Sequence, residues 1–322
     1  MKLFVTPENP APPGAIVSQA RAIDGAQLRA ARWVPQSAKR GTVAILQGRG
    51  EFIEKYFEVV GELLARGFAV AALDWRGQGG SQRQLRNPRK GHIDDFAYYE
   101  RDLSALVDDV LGPSCPQPWF GLAHSMGAAI MLGVSREGRC PFERLTLTSP
   151  MIGLAGERYR RWIRVAVETL DALGLGGAFA PGGGSASVWS KPFQGNVLTS
   201  DPRRYARTAG IIATVPEIAL GGPTVGWINA ALRAMAQFEE PDFAREIATP
   251  TLVLASGADR VVDVGATERF AARLRTGRLI VIDGAEHEAL MEQDRFRELF
   301  WAAFDQFIPG VEGEASRRRV LA

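Results

Sequence analysis

Apolar and polar positions change rhythm repeatedly along the first half of the chain. Short apolar or two-periodic runs at residues 16–21, 27–33, 42–46, 68–73, 119–123 and 145–148 predict strands. Helical spacing at 56–65, 96–111 and 126–136 predicts helices between them. Asp24-Gly25, between the first two runs, predicts a two-residue hairpin turn. Gly67 and Gly138 close the helices before them, and Asp74 stops the run at 68–73. Strands separated by helices predict a mostly parallel central sheet with helices on both faces, an α/β fold.

After Met151 the rhythm changes. Helical spacing covers 157–173, 201–214 and 224–238, interrupted by a glycine-rich stretch at 174–184, and no strong strand is present. This predicts a helical cap over residues 151–240, inserted between a first core segment, 1–150, and a second, 241–322. Strand patterns return at 251–255 and 279–282, and a helix over 295–307 closes the core. The tail from Gly310 holds Arg317-Arg318-Arg319 and is expected to fray, with contact to an anionic surface as the alternative. No internal repeat is found.

Composition narrows the function classes. With 46% hydrophobic residues, 322 residues suffice for a sizeable core. Lys and Arg number 38 against 36 Asp and Glu, a net charge of +2, which supplies no electrostatic reason for a nucleic-acid partner. Two cysteines make no disulfide framework, and only three histidines argue against a structural zinc site. The first residues form no signal-peptide run, and no apolar stretch reaches the ~18 residues of a membrane span. A cytoplasmic location is expected, with transient contact at a membrane surface still compatible. Oligomeric state is left open.

The strongest chemical signal is Ala123-His124-Ser125-Met126-Gly127, set between a strand and a helix. A serine on such a sharp turn projects into the open, and the positions two residues to either side must be small. The helix that follows aims its positive N-terminus at the reacting centre. A serine nucleophile needs a base. His124 adjoins Ser125 and is expected to point away from it, and His92 precedes the nucleophile in the chain. His287 follows the last strand, in the loop zone where α/β sites are built. The orienting acid belongs after the preceding strand, where Asp259 is the first choice and Asp263 the second. The expected triad is Ser125, Asp259 and His287. The oxyanion donors are expected to be the backbone N–H groups of Met126 and of Arg49, the latter in Gln47-Gly48-Arg49-Gly50-Glu51.

Together these motifs resemble the monoacylglycerol lipase and bacterial lysophospholipase-like group of α/β-hydrolases, of the serine aminopeptidase S33 type. The resemblance runs through Gln47 to Glu51, Tyr56, Asp74-Trp75-Arg76-Gly77-Gln78-Gly79, Ile93-Asp94-Asp95-Phe96, His124 to Gly127, Gly257-Ala258-Asp259-Arg260 and Gly284 to His287. Asn196 to Pro202 and Gly221 to Thr224 are similar to the cap of bacterial members. Two positions depart: Gln47 stands where the group usually has histidine, and Ala123 where it usually has glycine. The resemblance implies an α/β-hydrolase fold, attack by Ser125 on an ester carbonyl, and an acyl-enzyme hydrolysed by water. It implies no metal or organic cofactor and a small-molecule or lipid ester as the substrate.

Two other readings stay open on sequence: a small-ester or amide hydrolase of the same fold, and a ligand-binding scaffold without turnover. Ser125, where a dehalogenase would carry aspartate, argues against a dehalogenase, and the intact triad argues against the scaffold. The apolar cap residues, Trp162, Ile163, Val167, Leu170, Leu173, Phe179, Trp189, Phe193, Ile211, Ile212, Trp227, Ile228 and Leu232, either line an acyl site or pack the cap on the core. The stretch 174–184 is either a mobile lid or a slack linker.

Overall fold

The computed structural model describes residues 1–156 and 160–309. The arginine tail and the first residues of the helix expected from Glu157 lie outside the described residues. Strands β1 (Ala15–Arg21) and β2 (Gln27–Trp33) form the predicted hairpin, and β2 then pairs antiparallel with β4 (Ala69–Leu73). From β4 onward the sheet is parallel, through β3 (Thr42–Leu46), β5 (Trp119–His124), β6 (Arg144–Thr148), β7 (Thr251–Ser256) and β8 (Gly277–Ile282). The order across the eight strands is β1-β2-β4-β3-β5-β6-β7-β8. The hairpin loop is wider than the two residues expected, because Ala22 N–H bonds Ala26 O across it. Only Gly25 takes positive φ there, and a two-residue type I′ turn needs two such residues. Asp24 instead turns its carboxylate to Arg76.

The central strands are buried on both faces, so their apolar runs are nearly continuous. Alternate residues still serve opposite layers. Val43 and Ile45 pack with Phe57 and Leu63 of α1 (Phe57–Ala65) and with Phe300 and Phe304 of the closing helix at 294–307. Ala44 and Leu46 pack with Leu103 and Leu106 of α2 (Ala97–Leu106) and with Ile130 and Leu132 of α3 (Met126–Arg136). Each large side chain so buried contributes about 1.5–3 kcal/mol. The parallel strands end on one edge, and the loops after β3, β5, β7 and β8 gather there.

Between β6 and β7 the chain forms α4 (Arg160–Leu170), α5 (Pro202–Thr214) and α6 (Val225–Phe238). Asp201 caps α5 by accepting from the Arg203 and Arg204 N–H groups, and Pro202 fits the first helical position. Thr224 caps α6 through Trp227 N–H. The glycine-rich stretch is laid along residues 221–226 by backbone hydrogen bonds such as Ala180 N–H to Pro223 O and Gly222 N–H to Gly184 O. A Cβ on Gly221 would lie 2.3 Å from Gly184 O, so the close approach requires glycine. Helices α7 (Val264–Ala271) and α8 (Asp294–Phe307) complete the core.

The α5 region is tied to the core by charge. Arg204 forks onto Glu58 of α1 at 2.7 and 2.9 Å and also reaches Asp294 at 2.6 Å. Arg207 adds a contact to Glu58 at 2.6 Å. Burial pushes the Glu58 carboxyl up, but Arg204, Arg297 and Arg207 outweigh burial and hold it at about 2, against an ordinary 4.5. Its contribution is therefore present above pH ~4.5 and is lost as the pH falls toward 2. In urea unfolding, Glu58→Gln is expected to cost about 2 kcal/mol at pH 7 and progressively less below pH ~4. An equal cost at both ends of that range contradicts the assignment.

Candidate active site

β5 runs directly into Ser125, which has φ 49° and ψ −111°, and α3 begins at the next residue. A non-glycine residue held at such angles costs about 1–3 kcal/mol and persists only where its surroundings dictate it. Ser125 N–H donates to Thr148 O of β6 at 3.0 Å, and Ser125 O accepts from the N–H groups of Ala129 and Met151. The small residues on either side are not equivalent. A Cβ on Gly127 would lie 2.3 Å from Leu46 O and 2.6 Å from Gln47 O, so only glycine fits against the end of β3. Ala123 is buried in the middle of the sheet, paired with Leu46 and Leu147, and its methyl group is accommodated.

Ser125, His287 and Asp259 are brought together although they lie on three different loops. His287 Nε2 is 3.1 Å from Ser125 Oγ, and His287 Nδ1 is 2.7 Å from Asp259 Oδ2. The other oxygen of Asp259 accepts from the N–H groups of Val261 and Val262 at 2.8 and 3.0 Å. Burial pushes the Asp259 carboxyl up, but His287 and these two N–H groups outweigh it and hold the group below its ordinary range. An ionised Asp259 fixes the proton on His287 Nδ1 and leaves Nε2 as acceptor toward the serine. Asp263 is occupied elsewhere: it caps α7 by accepting from Ala266 N–H. His92 joins the core to α6 through Thr224 Oγ1 at 2.9 Å.

His124 departs from expectation. Its Nδ1 is bound to Thr148, but its ring lies 4.8 Å from the His287 ring and borders the same cavity as Ser125. It does not point away from the site. Burial drives its imidazole down to about 3, so the ring is neutral at pH 7 and adds no charge beside His287.

Beneath the loop after β3 lies a buried polar brace that local sequence patterns did not reveal. Glu51 accepts from Gly48 N–H and from Tyr56 OH, and Gly50 N–H donates to Gln78. The Gln78 amide donates to Gly48 O and Glu51 O at 2.8 and 3.1 Å. The amides on either side of Arg49 are thus committed, whereas Arg49 N–H has no acceptor among the described residues. Met126 N–H is at the first position of α3, where a helix leaves its amides unpaired. These are the two donors expected for an oxyanion. Gln47 is fully buried beneath the loop and removes no group from the cavity.

Glu51, His124 and Glu288 converge closely enough to hold a metal ion. Lys55 already fills the cationic role, with Nζ 2.6 Å from both carboxylates. The same ammonium connects the loop of Arg49 to the loop of His287. Glu51, Glu54 and Lys55, although charged and close in sequence, are all buried. Their partners lie far away in sequence, at Glu288 and Arg29.

Ser125 and His287 open onto a cavity of about 470 Å³. One wall is Ile228, Ala231, Leu232 and Met235, the i, i+3, i+4, i+7 stripe of α6. Met151, Leu154, Val261 and Val262 face it. Of the apolar cap residues singled out from the sequence, Ile163, Trp189, Trp227, Ile228 and Leu232 border the cavity. Ile211 and Ile212 pack within the insertion, and Trp162 and Leu173 face outward. No helix among the described residues is long and apolar enough to cross a membrane.

Comparison with known proteins gives the family and the fold. The family described as Serine aminopeptidase, S33 matches residues 37–294, most of the chain. The chain belongs to this family. It is 35% identical to lysophospholipase L2 of Escherichia coli strain K12, over 88% of this chain and 85% of that protein. It is 24% identical to a monoacylglycerol lipase of Mycolicibacterium smegmatis, over 82% and 86% of the two chains. The solved structure of a soluble variant of monoglyceride lipase from Saccharomyces cerevisiae superimposes with a TM-score of 0.71 at 19% identity, covering 91% of this chain and 95% of that one. The chain has the α/β-hydrolase fold.

The elbow yields a paired prediction. Gly127→Ala is expected to push the Arg49 loop away and to lower kcat for a nitrophenyl ester about 100-fold or more. Ala123→Gly is expected to stay within about threefold of the parent. Steady-state kinetics check both, and equal effects contradict the asymmetry.

Proposed function

We propose that this protein hydrolyses the ester of monoacyl glycerolipids, as a lysophospholipase or monoacylglycerol lipase, through an acyl-enzyme on Ser125. The observation that carries the reading is a Ser125–His287–Asp259 array at the wall of an aliphatic cavity. The names of the relatives support the same substrate class.

In this reading Ser125 Oγ attacks the ester carbonyl as His287 Nε2 takes its proton. Charge developing on the carbonyl oxygen is held by the Arg49 and Met126 N–H groups. His287 then hands the proton to the departing glycerol oxygen, and the C–O bond breaks. Water then attacks the acyl carbon as His287 takes its proton, and His287 returns that proton to Ser125 Oγ as the acyl–Oγ bond breaks and the fatty acid leaves. Asp259 stabilises the imidazolium formed in both halves. The stripe on α6 holds the acyl chain, with each buried methylene contributing about 0.8 kcal/mol. The leaving group stays on the side of the polar loops.

The test is hydrolysis of nitrophenyl esters of increasing chain length, of 1-palmitoylglycerol and of lysophosphatidylcholine, with Ser125→Ala alongside. Ser125→Ala is expected to lower kcat by about 10⁴-fold or more on every substrate. Parent kcat/KM is expected to rise with chain length. Activity confined to the shortest esters contradicts the lipid reading, and equal rates for both proteins contradict the nucleophile.

A further inference from the structure

The wall of the cavity near Ser125 carries one positive charge for which the scheme above has no use, the Arg49 side chain. It is held between the loop after β3 and the inserted helices. Its Nη2 donates to Gly221 O at 3.2 Å, and the guanidinium lies 5.0 Å from the Trp227 ring. Its Nε is shut off from solvent and has no acceptor. A guanidinium has five N–H donors, and here a single protein oxygen receives one of them.

The fully buried arginines are treated differently. Arg29 faces Glu54 and Asp74, Arg76 faces Asp24 and Asp102, and Arg204 faces Glu58, Asp201 and Asp294. Among the described residues no carboxylate pairs with Arg49. Burial lowers its guanidinium to about 10, which still leaves it charged at neutral pH. A half-buried, charged and under-bonded guanidinium on the wall of a substrate cavity is a site for an anion, and its planar fork suits a phosphate.

The place of the residue in the chain sets which anion. Its backbone N–H is the proposed donor to the ester carbonyl oxygen, so its guanidinium is one side-chain length from that carbonyl. In a lysophospholipid the phosphate is one glycerol backbone away from the ester. We propose that the Arg49 guanidinium binds the phosphodiester of a lysophospholipid headgroup and so favours lysophospholipids over uncharged monoacylglycerols. This rests on the ester-hydrolase reading above and extends it to the leaving group. Trp227, stacked on the guanidinium and hydrogen-bonded to Tyr99 OH at 3.2 Å, holds the fork in place.

The experiment compares kcat/KM for 1-palmitoyl-lysophosphatidylcholine and 1-palmitoylglycerol in the parent, Arg49→Met and Arg49→Lys. The ratio of the two is the readout, because loss of the side chain can disturb the neighbouring oxyanion donor and lower both rates together. Arg49→Met is expected to lower the ratio by about 10- to 100-fold, and Arg49→Lys to recover part of it. An unchanged ratio, whatever happens to the separate rates, overturns the assignment and leaves the ester-hydrolase reading intact. A parent that cleaves nitrophenyl esters but neither lipid overturns both. In a second arm, glycerophosphocholine and sodium phosphate are tested as inhibitors of nitrophenyl butyrate hydrolysis. Arg49-dependent inhibition by glycerophosphocholine at lower concentration than phosphate supports a headgroup site. Inhibition by phosphate alone overturns it.

Discussion

Everything at this site depends on one tight turn, the passage from β5 into α3 at Ser125. Positive φ at a serine is unfavourable, and the turn persists because its backbone is fixed from both sides. The Thr148 carbonyl holds Ser125 N–H, and the carbonyls at the end of β3 press against Gly127. The same contact brings the loop of Arg49 against the first turn of α3. The nucleophile and both proposed oxyanion donors therefore share a single rigid junction of β3, β5 and α3. Placing a site on packed strand ends gives it the small positional tolerance that acyl transfer demands.

A second layer of order is electrostatic. Buried charges are costly unless they are paired and hydrogen-bonded. Here the pairs also connect segments. Arg29 gathers Glu54 and Asp74, and Asp74 accepts in turn from Ile53 and Gly80 N–H groups. Lys55 joins Glu51, which braces the Arg49 loop, to Glu288, which adjoins His287. Loss of one partner leaves an uncompensated charge next to the chemistry, so these groups set geometry as much as stability. Arg49 breaks the pattern: its guanidinium donates to Gly221 O and pairs with no carboxylate among the described residues.

Much of this architecture could be read from residue patterns, for identifiable reasons. Buried parallel strands show as short apolar runs, and the hairpin, the elbow and the chain order of Ser125, Asp259 and His287 are local signals placed after strands. The brace could not be read in the same way. Lys55 and Glu288 are separated by most of the chain, and a charged stretch of mixed sign looks like surface. The direction of His124 is not legible either, because it depends on Thr148 of the neighbouring strand and on the His287 loop, both distant in sequence. In the insertion, spacing located the helices but not the destination of each face. The stripe Ile228, Ala231, Leu232 and Met235 has the correct period for a wall, yet core packing and cavity lining leave the same pattern.

The central claim is that Ser125 is the residue acylated by a lipid ester. Its most direct test is covalent labelling of the native protein with a long-chain alkyl fluorophosphonate, followed by peptide mapping by mass spectrometry. The account predicts one adduct per chain, on Ser125, formed more slowly when lysophosphatidylcholine is present. An adduct on another residue, or undiminished ester hydrolysis by fully labelled protein, would contradict it.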